Sequence, residues 1–282
     1  MSLNINTKVK LNNGVEMPLL GLGTWEIREG ESVVNAVRLA IGNGYRHIDT
    51  ARIYGNEKGV GKGLKLSLEE QGINREDVFI TTKLWIDAFK YEKALRAFDR
   101  SLTNLGLEYV DLYLLHWPEP AYRLEAWKAL ESILKEGKVR SIGVSNFYQH
   151  HLDELLSGAD IIPAVNQVEF TPYLYLKELK EYCIDKGITL EAYSPLTRGK
   201  KLNDPKLLNI AKIYNKTSAQ ILIRWGLQHK VVEIPKSSNE GHIIENSNLF
   251  DFSISEDDMA ILDKLNENFY VGMWNPTQPR WK

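Results

Sequence analysis

A (β/α)8 (TIM) barrel is the architecture expected of this chain, and three observations carry that expectation. Short β-rich apolar runs alternate with amphipathic helical patterns from residue 19 to about residue 250, with no linker between them, as in a parallel sheet wrapped by helices. The apolar runs number eight. No Gly-rich dinucleotide fingerprint follows the first of them, which argues against a doubly wound sheet. Gly21-Leu22-Gly23-Thr24-Trp25 lacks the third glycine, and Gly59, Gly61 and Gly63 lie well inside a helix-like stretch. At 282 residues the chain suits one α/β barrel as well as two ordinary domains, and the unbroken alternation favours a single barrel domain over 1–282.

The elements follow in order. Val9–Met17 contains Asn13-Gly14, two residues suited to the positive φ of a tight turn, and reads as a separate β-hairpin plugging the N-terminal mouth. The strands are expected at Leu19–Thr24, His47–Ala51, Val78–Leu84, Val110–Trp117, Val139–Asn146, Ala164–Phe170, Thr189–Ser194 and Val231–Pro235. Helical stripes separate them. Tyr91–Leu105 carries Ala94, Leu95, Phe98, Leu102 and Leu105 on one face, and Leu124–Leu134 behaves likewise. Extra material follows the seventh strand, Pro195–Asp204 and then helices to about Lys230, and Glu256–Asn266 reads as a helix. The tail Asn268–Lys282, with Trp274, Pro276, Pro279 and Trp281, reads as irregular and aromatic.

Composition excludes several function classes. With 35 Lys+Arg against 37 Asp+Glu, the net charge of −2 offers no basic field for a phosphate backbone, so nucleic acid is not expected as a partner. No window approaches the ~18 apolar residues of a spanning helix, and MSLNINTKVKLNNG lacks a signal-peptide apolar core. The single cysteine, Cys183, excludes an internal disulfide and suits a reducing cytoplasm. It falls in the helical pattern Glu178–Lys186 and reads as a packing residue.

In such a barrel, chemistry belongs where the strands end at the C-terminal mouth. The second strand ends near Asp49, with Tyr54 five residues on; the third ends near Lys83 and the fourth at His116. Singly, each has a plain role as a helix cap, packing residue or solvated loop group. Together they form a proton donor for a carbonyl oxygen. A phenol of ordinary pKa about 10 is a weak acid at neutral pH. A neighbouring Lys83 ammonium would pull that pKa toward the working range, Asp49 would keep the lysine charged, and His116 would hold the substrate oxygen. The quartet has no hydride source, so a cofactor is required.

These residues lie in a series of motifs that resembles the aldo-keto reductase superfamily through nearly the whole chain. The motifs are Gly21-Leu22-Gly23-Thr24-Trp25, Gly44–Ala51 leading to Tyr54-Gly55-Asn56-Glu57, Leu107–Pro118, Gly143-Val144-Ser145-Asn146-Phe147, Asn166-Gln167-Val168-Glu169, Ala192-Tyr193-Ser194-Pro195-Leu196 and Ile234-Pro235-Lys236-Ser237. The branch that looks most similar holds bacterial and protozoan reductases of glyoxal-type dicarbonyls, diketo sugar acids or prostaglandin endoperoxides. The resemblance implies NADPH-dependent reduction of aldehydes and ketones without a metal, with NADH a second usable cofactor. It makes Tyr54 the general acid, tuned by Lys83 and Asp49, and His116 the group that orients the carbonyl. A monomer acting on a small carbonyl compound, without nucleic acid or membrane, is the matching expectation.

The same resemblance assigns the cofactor positions. Thr24 is implied as a cofactor-binding residue; Ser145, Asn146 and Gln167 are implied around the nicotinamide, whose carboxamide needs donors and acceptors, and Tyr193 offers a flat face for stacking. Ser194 and Leu196 are implied near the pyrophosphate, Lys236 and Ser237 at the adenosine 2′-phosphate, and Glu245 with Asn246 near the adenine. One departure concerns His242, six residues after Lys236, where NADP-preferring members usually carry arginine. An ordinary imidazole is mostly neutral at pH 7 and donates once, whereas guanidinium is charged and bidentate, so a weaker phosphate grip is expected. Arg52, where a small residue is usual, either biases the site toward anionic substrates or lies on the surface. Thr171 stands at the position where the Asn-Gln-Val-Glu-Phe strand is commonly followed by His-Pro.

Other features read as structure. Gly143–Phe147 lacks the second glycine of a nucleophile elbow, and His150-His151 are adjacent on a helix and cannot face one metal. Trp127 and Trp225 belong to helical stripes, while Trp25, Trp85 and Trp117 directly follow strands and would line the mouth as an apolar substrate wall. Two alternatives remain open: a barrel that binds NADP(H) without turnover, and a Schiff-base aldolase using Lys83.

Overall fold

The computed structural model describes residues 3–272 and 275, and in it the eight expected strands form one parallel sheet in sequential order. They are β3 (Leu22–Gly23), β4 (His47–Asp49), β5 (Phe79–Leu84), β6 (Val110–Leu115), β7 (Val139–Ser145), β8 (Val165–Glu169), β9 (Thr189–Tyr193) and β10 (Val232–Glu233). The ring closes through backbone hydrogen bonds from Gly21 N–H to Glu233 O (2.9 Å), from Glu233 N–H to Leu19 O (2.8 Å) and from Gly23 N–H to Pro235 O (3.2 Å). Most strands stop before the apolar run does. The residues left over, among them Thr50, His116 and Asn146, lie just past the strands at the mouth, each still donating its N–H to the neighbouring strand, and Asn146 does so at a φ of 65°.

Helices cover the outside: α1 (Glu31–Gly42), α2 (Glu57–Gln71), α3 (Tyr91–Leu105), α4 (Arg123–Lys135), α5 (Gln149–Gly158), α6 (Lys177–Asp185), α7 (Pro205–Tyr214), α8 (Ser218–Gln228), α9 (Glu240–Ser247) and α10 (Glu256–Asp263). The glycine row of α2 serves packing. A Cβ at Gly61 would lie 2.0 Å from the Leu105 carbonyl oxygen, and one at Gly63 2.9 Å from that of Val34. Trp127 and Trp225 are fully buried, as their stripes predict, and Cys183 is buried in the core. No helix of the described residues is long and apolar enough to cross a membrane.

Two local expectations need correction. The hairpin β1 (Lys8–Lys10) and β2 (Glu16–Pro18) forms, but its turn is a five-residue loop in which only Gly14 takes a positive φ, 88°. Asn13 instead donates from its amide to Arg140 O and Ser141 Oγ, docking the loop on the start of β7. The helix expected over Glu256–Asn266 ends at Asp263. Asn266 is turned out of it because its Oδ1 accepts from the N–H groups of Tyr175 and Asn268. Trp274, Pro276, Pro279 and Trp281 of the tail lie outside the described residues.

Candidate active site

The strand ends surround a cavity of about 320 Å3 at the C-terminal mouth. Asp49 closes β4, and the next residues form a single 3-10 turn, Arg52–Tyr54, that swings the phenol of Tyr54 back over the mouth. Asn56 fixes this turn: its Oδ1 accepts from Thr50 Oγ1, and its amide donates to the carbonyls of Thr24 and Ile27. Lys83 projects inward from β5 and is completely buried. Its Nζ donates to Asp49 Oδ1 at 2.6 Å, to Thr50 O at 3.0 Å and to Tyr54 OH at 3.3 Å. His116, just past β6, packs edge-on against Tyr54 (ring centroids 5.7 Å) and Trp85 (5.0 Å). The four groups expected to converge do so.

Their electrostatics follow from burial. Loss of water disfavours charge on Lys83, but Asp49 and Tyr54 outweigh that and raise its pKa, so the ammonium is retained. Burial raises Asp49, with Lys83 and Gln167 pulling the other way across short hydrogen bonds. Tyr54 departs from expectation. Burial pushes the phenol above its ordinary pKa, and Lys83 opposes this without overcoming it. Lys83 therefore does not bring the free phenol into the working range. Its ammonium, 3.3 Å from the hydroxyl, would favour a phenolate at that position over what burial alone allows. Burial, then Lys83, holds His116 well below the usual imidazole range, so its ring is neutral. Its Nδ1 is buried without a hydrogen-bond partner among the described residues.

Beneath the quartet lies a polar layer the sequence did not reveal. Gln167 Nε2 donates to Asp49 Oδ2 at 2.8 Å and to Glu191 Oε2 at 2.9 Å, and Glu191 Oε1 faces His47 Nε2 at 3.6 Å. Both hydrogens of the Gln167 amide are thus engaged. Of the donors and acceptors expected there, Oε1 alone is left for a ligand, and Gln167 lines the cavity. Burial, then the charge of Asp49, raises Glu191 to about 8.

The remaining expected residues divide. Ser145, Asn146, Tyr193, Ser194 and Lys236 line the cavity with Gln167, as do Trp25, Trp85 and Trp117. Tyr193 OH donates to Asn146 Oδ1 at 2.8 Å, and Asn146 Nδ2 donates to His116 O. Thr24 does not reach it: its side chain is fully buried and donates to Asp49 O, tying β3 to β4. Leu196 packs against the core instead of the cavity. Ser237 is buried after β10, exposed His242 sits in the first turn of α9 with its N–H bonded to the Asn239 cap, and Glu245 and Asn246 lie farther along that helix. Arg52 pairs with Asp87 and is not among the cavity-lining residues, although its neighbours Ile53 and Tyr54 are. Thr171 folds its own turn, its Oγ1 accepting from Tyr173 and Leu174 N–H. Arg198, which no periodicity marks, also lines the cavity, its guanidinium 4.0 Å from the Trp25 ring centroid.

Comparison with known proteins identifies the family. The model described as the aldo/keto reductase family matches residues 19–267. The chain is 52% identical over 272 residues to a glyoxal reductase of Bacillus subtilis, covering 96% of this chain and 97% of that protein. It is 50% identical over 275 residues to a 9,11-endoperoxide prostaglandin H2 reductase of Trypanosoma cruzi, covering 96% and 95%. The crystal structure of MGS-M4, an aldo-keto reductase from a deep-sea metagenome library of the Medee basin, superposes with a TM-score of 0.91 at 43% identity, covering 96% of this chain and 99% of that one.

Proposed function

The chain belongs to the aldo/keto reductase family and is an NAD(P)H-dependent carbonyl reductase, and from that premise we propose that it reduces small aldehydes and dicarbonyls with NADPH in preference to NADH, Tyr54 giving the proton. The observation that carries this reading is the Lys83 Nζ held 2.6 Å from Asp49 and 3.3 Å from the Tyr54 hydroxyl at the floor of an apolar cavity.

The residues fit a nicotinamide cofactor. Tyr193 presents an aromatic ring, Gln167 keeps one free acceptor because its amide hydrogens are engaged, and Lys236 stands at the rim beside the start of α9. When bound, the cofactor supplies the hydride. Neutral His116 donates its ring N–H to the substrate carbonyl oxygen and fixes its direction. Tyr54, a neutral phenol at working pH, transfers its proton to that oxygen as negative charge develops, and the Lys83 ammonium stabilises the phenolate left behind. Asp49 keeps Lys83 charged and Gln167 keeps Asp49 in place. The walls of Trp25, Trp85, Trp117 and Ile53 exclude water around the reacting oxygen.

Preference for NADPH rests on Lys236, Ser237 and the N-terminal turn of α9, where a 2′-phosphate would meet a lysine and a helix end. Glyoxal-type dicarbonyls are the favoured substrates, on the likeness to the glyoxal reductase of Bacillus subtilis. A monomer in a reducing cytoplasm, acting on small carbonyl compounds without nucleic acid or membrane, completes the reading; Cys183, the sole cysteine, is buried. The test is loss of NADPH absorbance over a panel of dicarbonyls, aldehydes and ketones with NADH in parallel. No turnover with any carbonyl, or NADH preferred, overturns it.

A further inference from the structure

Glu169 lies two residues beyond Gln167 on β8, outside the cavity lining, yet it is only 1% exposed and both its oxygens are engaged. The N–H of Val271 donates to Oε1 at 2.9 Å and to Oε2 at 3.1 Å, and the N–H of Gly272 donates to Oε2 at 3.0 Å. Two successive backbone N–H groups form a concave pair suited to an anion. Burial raises this carboxyl to about 7, with the Val271 and Gly272 N–H groups, then Arg198 and Lys200, pulling the other way. A second tie lies one residue earlier, where the hydroxyls of Tyr270 and Tyr193 are 3.0 Å apart. Gly272 then contributes to the cavity wall. Residues 270–272 are thus fastened at two points to the rim, more than 100 residues away in sequence from Glu169.

We propose that Glu169 is a positioning residue for substrate selection: its carboxylate anchors the C-terminal segment, so that residues 270–272 hold one wall of the substrate cavity and steady the ring of Tyr193. The proposal rests on the carbonyl-reductase reading above. Simple packing of the segment would need only apolar contacts, and a carboxylate buried there without the Val271 and Gly272 N–H groups would be costly. A large aryl carbonyl would lean on the anchored wall. Glyoxal is too small to need it.

The experiment compares wild type with E169Q, in which the amide must turn its NH2 toward one of the two N–H groups, and with V271P, which removes a donor from the other side. Amide hydrogen exchange in 268–272 is expected to rise about tenfold in E169Q, with β8 unchanged. With saturating NADPH, kcat/KM for nitrobenzaldehyde is expected to fall about tenfold through KM, while that for glyoxal stays within about twofold. V271P should give the same substrate ratio, and the double variant should be no worse than either single one. Unchanged exchange in E169Q, equal losses for both substrates, or additive effects of the two changes would each overturn the anchor. If neither carbonyl is reduced by wild type, the functional reading fails while the exchange measurement still decides whether Glu169 holds the segment.

Discussion

Lys83→Met probes the centre of the mechanism. The ammonium sits 3.3 Å from the Tyr54 hydroxyl. At the effective dielectric constant of about 20 that suits buried protein sites, a unit charge at that separation stabilises a phenolate by roughly 5 kcal/mol. Asp49, left behind with its charge, would oppose the phenolate further. Loss of roughly half to all of that stabilisation in the transition state lowers kcat by about 10² to 10⁴. The variant also strands a buried carboxylate, which costs about 3–5 kcal/mol of stability. The companion variant D49N/K83M removes that charge, and it should regain thermal stability without regaining activity. The assay is kcat from NADPH absorbance across pH 6 to 10, with NADPH dissociation constants from quenching of tryptophan fluorescence. Reduction requires the neutral phenol, and Lys83 is the main group holding the Tyr54 pKa down against burial. Its loss should therefore push the alkaline limb of residual activity upward. A kcat within about tenfold of wild type, or an alkaline limb that does not move, would refute the role given to Lys83.

Tyr54→Phe should abolish carbonyl reduction while leaving the NADPH dissociation constant within about twofold, because it removes only the transferable proton; activity within a few-fold of wild type would remove Tyr54 from its role. His242→Arg, at an exposed position in the first turn of α9, should tighten NADPH by about tenfold at pH 8 through a bidentate contact and leave NADH unchanged. An equal change for both cofactors would mean that position 242 does not face the 2′-phosphate. Glu191, raised to about 8 by burial and by Asp49, favours the fold in its protonated form, so its contribution is complete below the unfolded carboxyl pKa of about 4.5 and is lost as pH rises toward 8. Glu191→Gln should thus raise the melting temperature relative to wild type at pH 8.5 and much less at pH 5, as differential scanning calorimetry would show; a pH-independent difference would place the titration elsewhere.

The barrel and its quartet were legible in the sequence because both are local signals. Eight apolar runs of strand length alternate with helical stripes, and a strand of known direction fixes which of its ends carries the chemistry, so Asp49, Lys83 and His116 could be placed on one rim before any contact was known. Tyr54 followed from its five-residue offset. The glycines of α2 were readable as helical by the same periodicity, though only packing against Leu105 and Val34 explains why they are glycines. The tertiary structure decided what meets across the ring. Gln167 is 118 residues from Asp49 and 24 from Glu191, yet one amide bridges both carboxyls, and Glu169 holds an N–H pair over 100 residues away. Such pairs depend on how the ring closes and where the chain's last described residues fold back, neither of which has a period to read. The balance at Tyr54 is also tertiary. A neighbouring lysine could be foreseen, but desolvation is set by everything packed around the phenol, and it is desolvation that holds the proton on Tyr54 against the pull of Lys83.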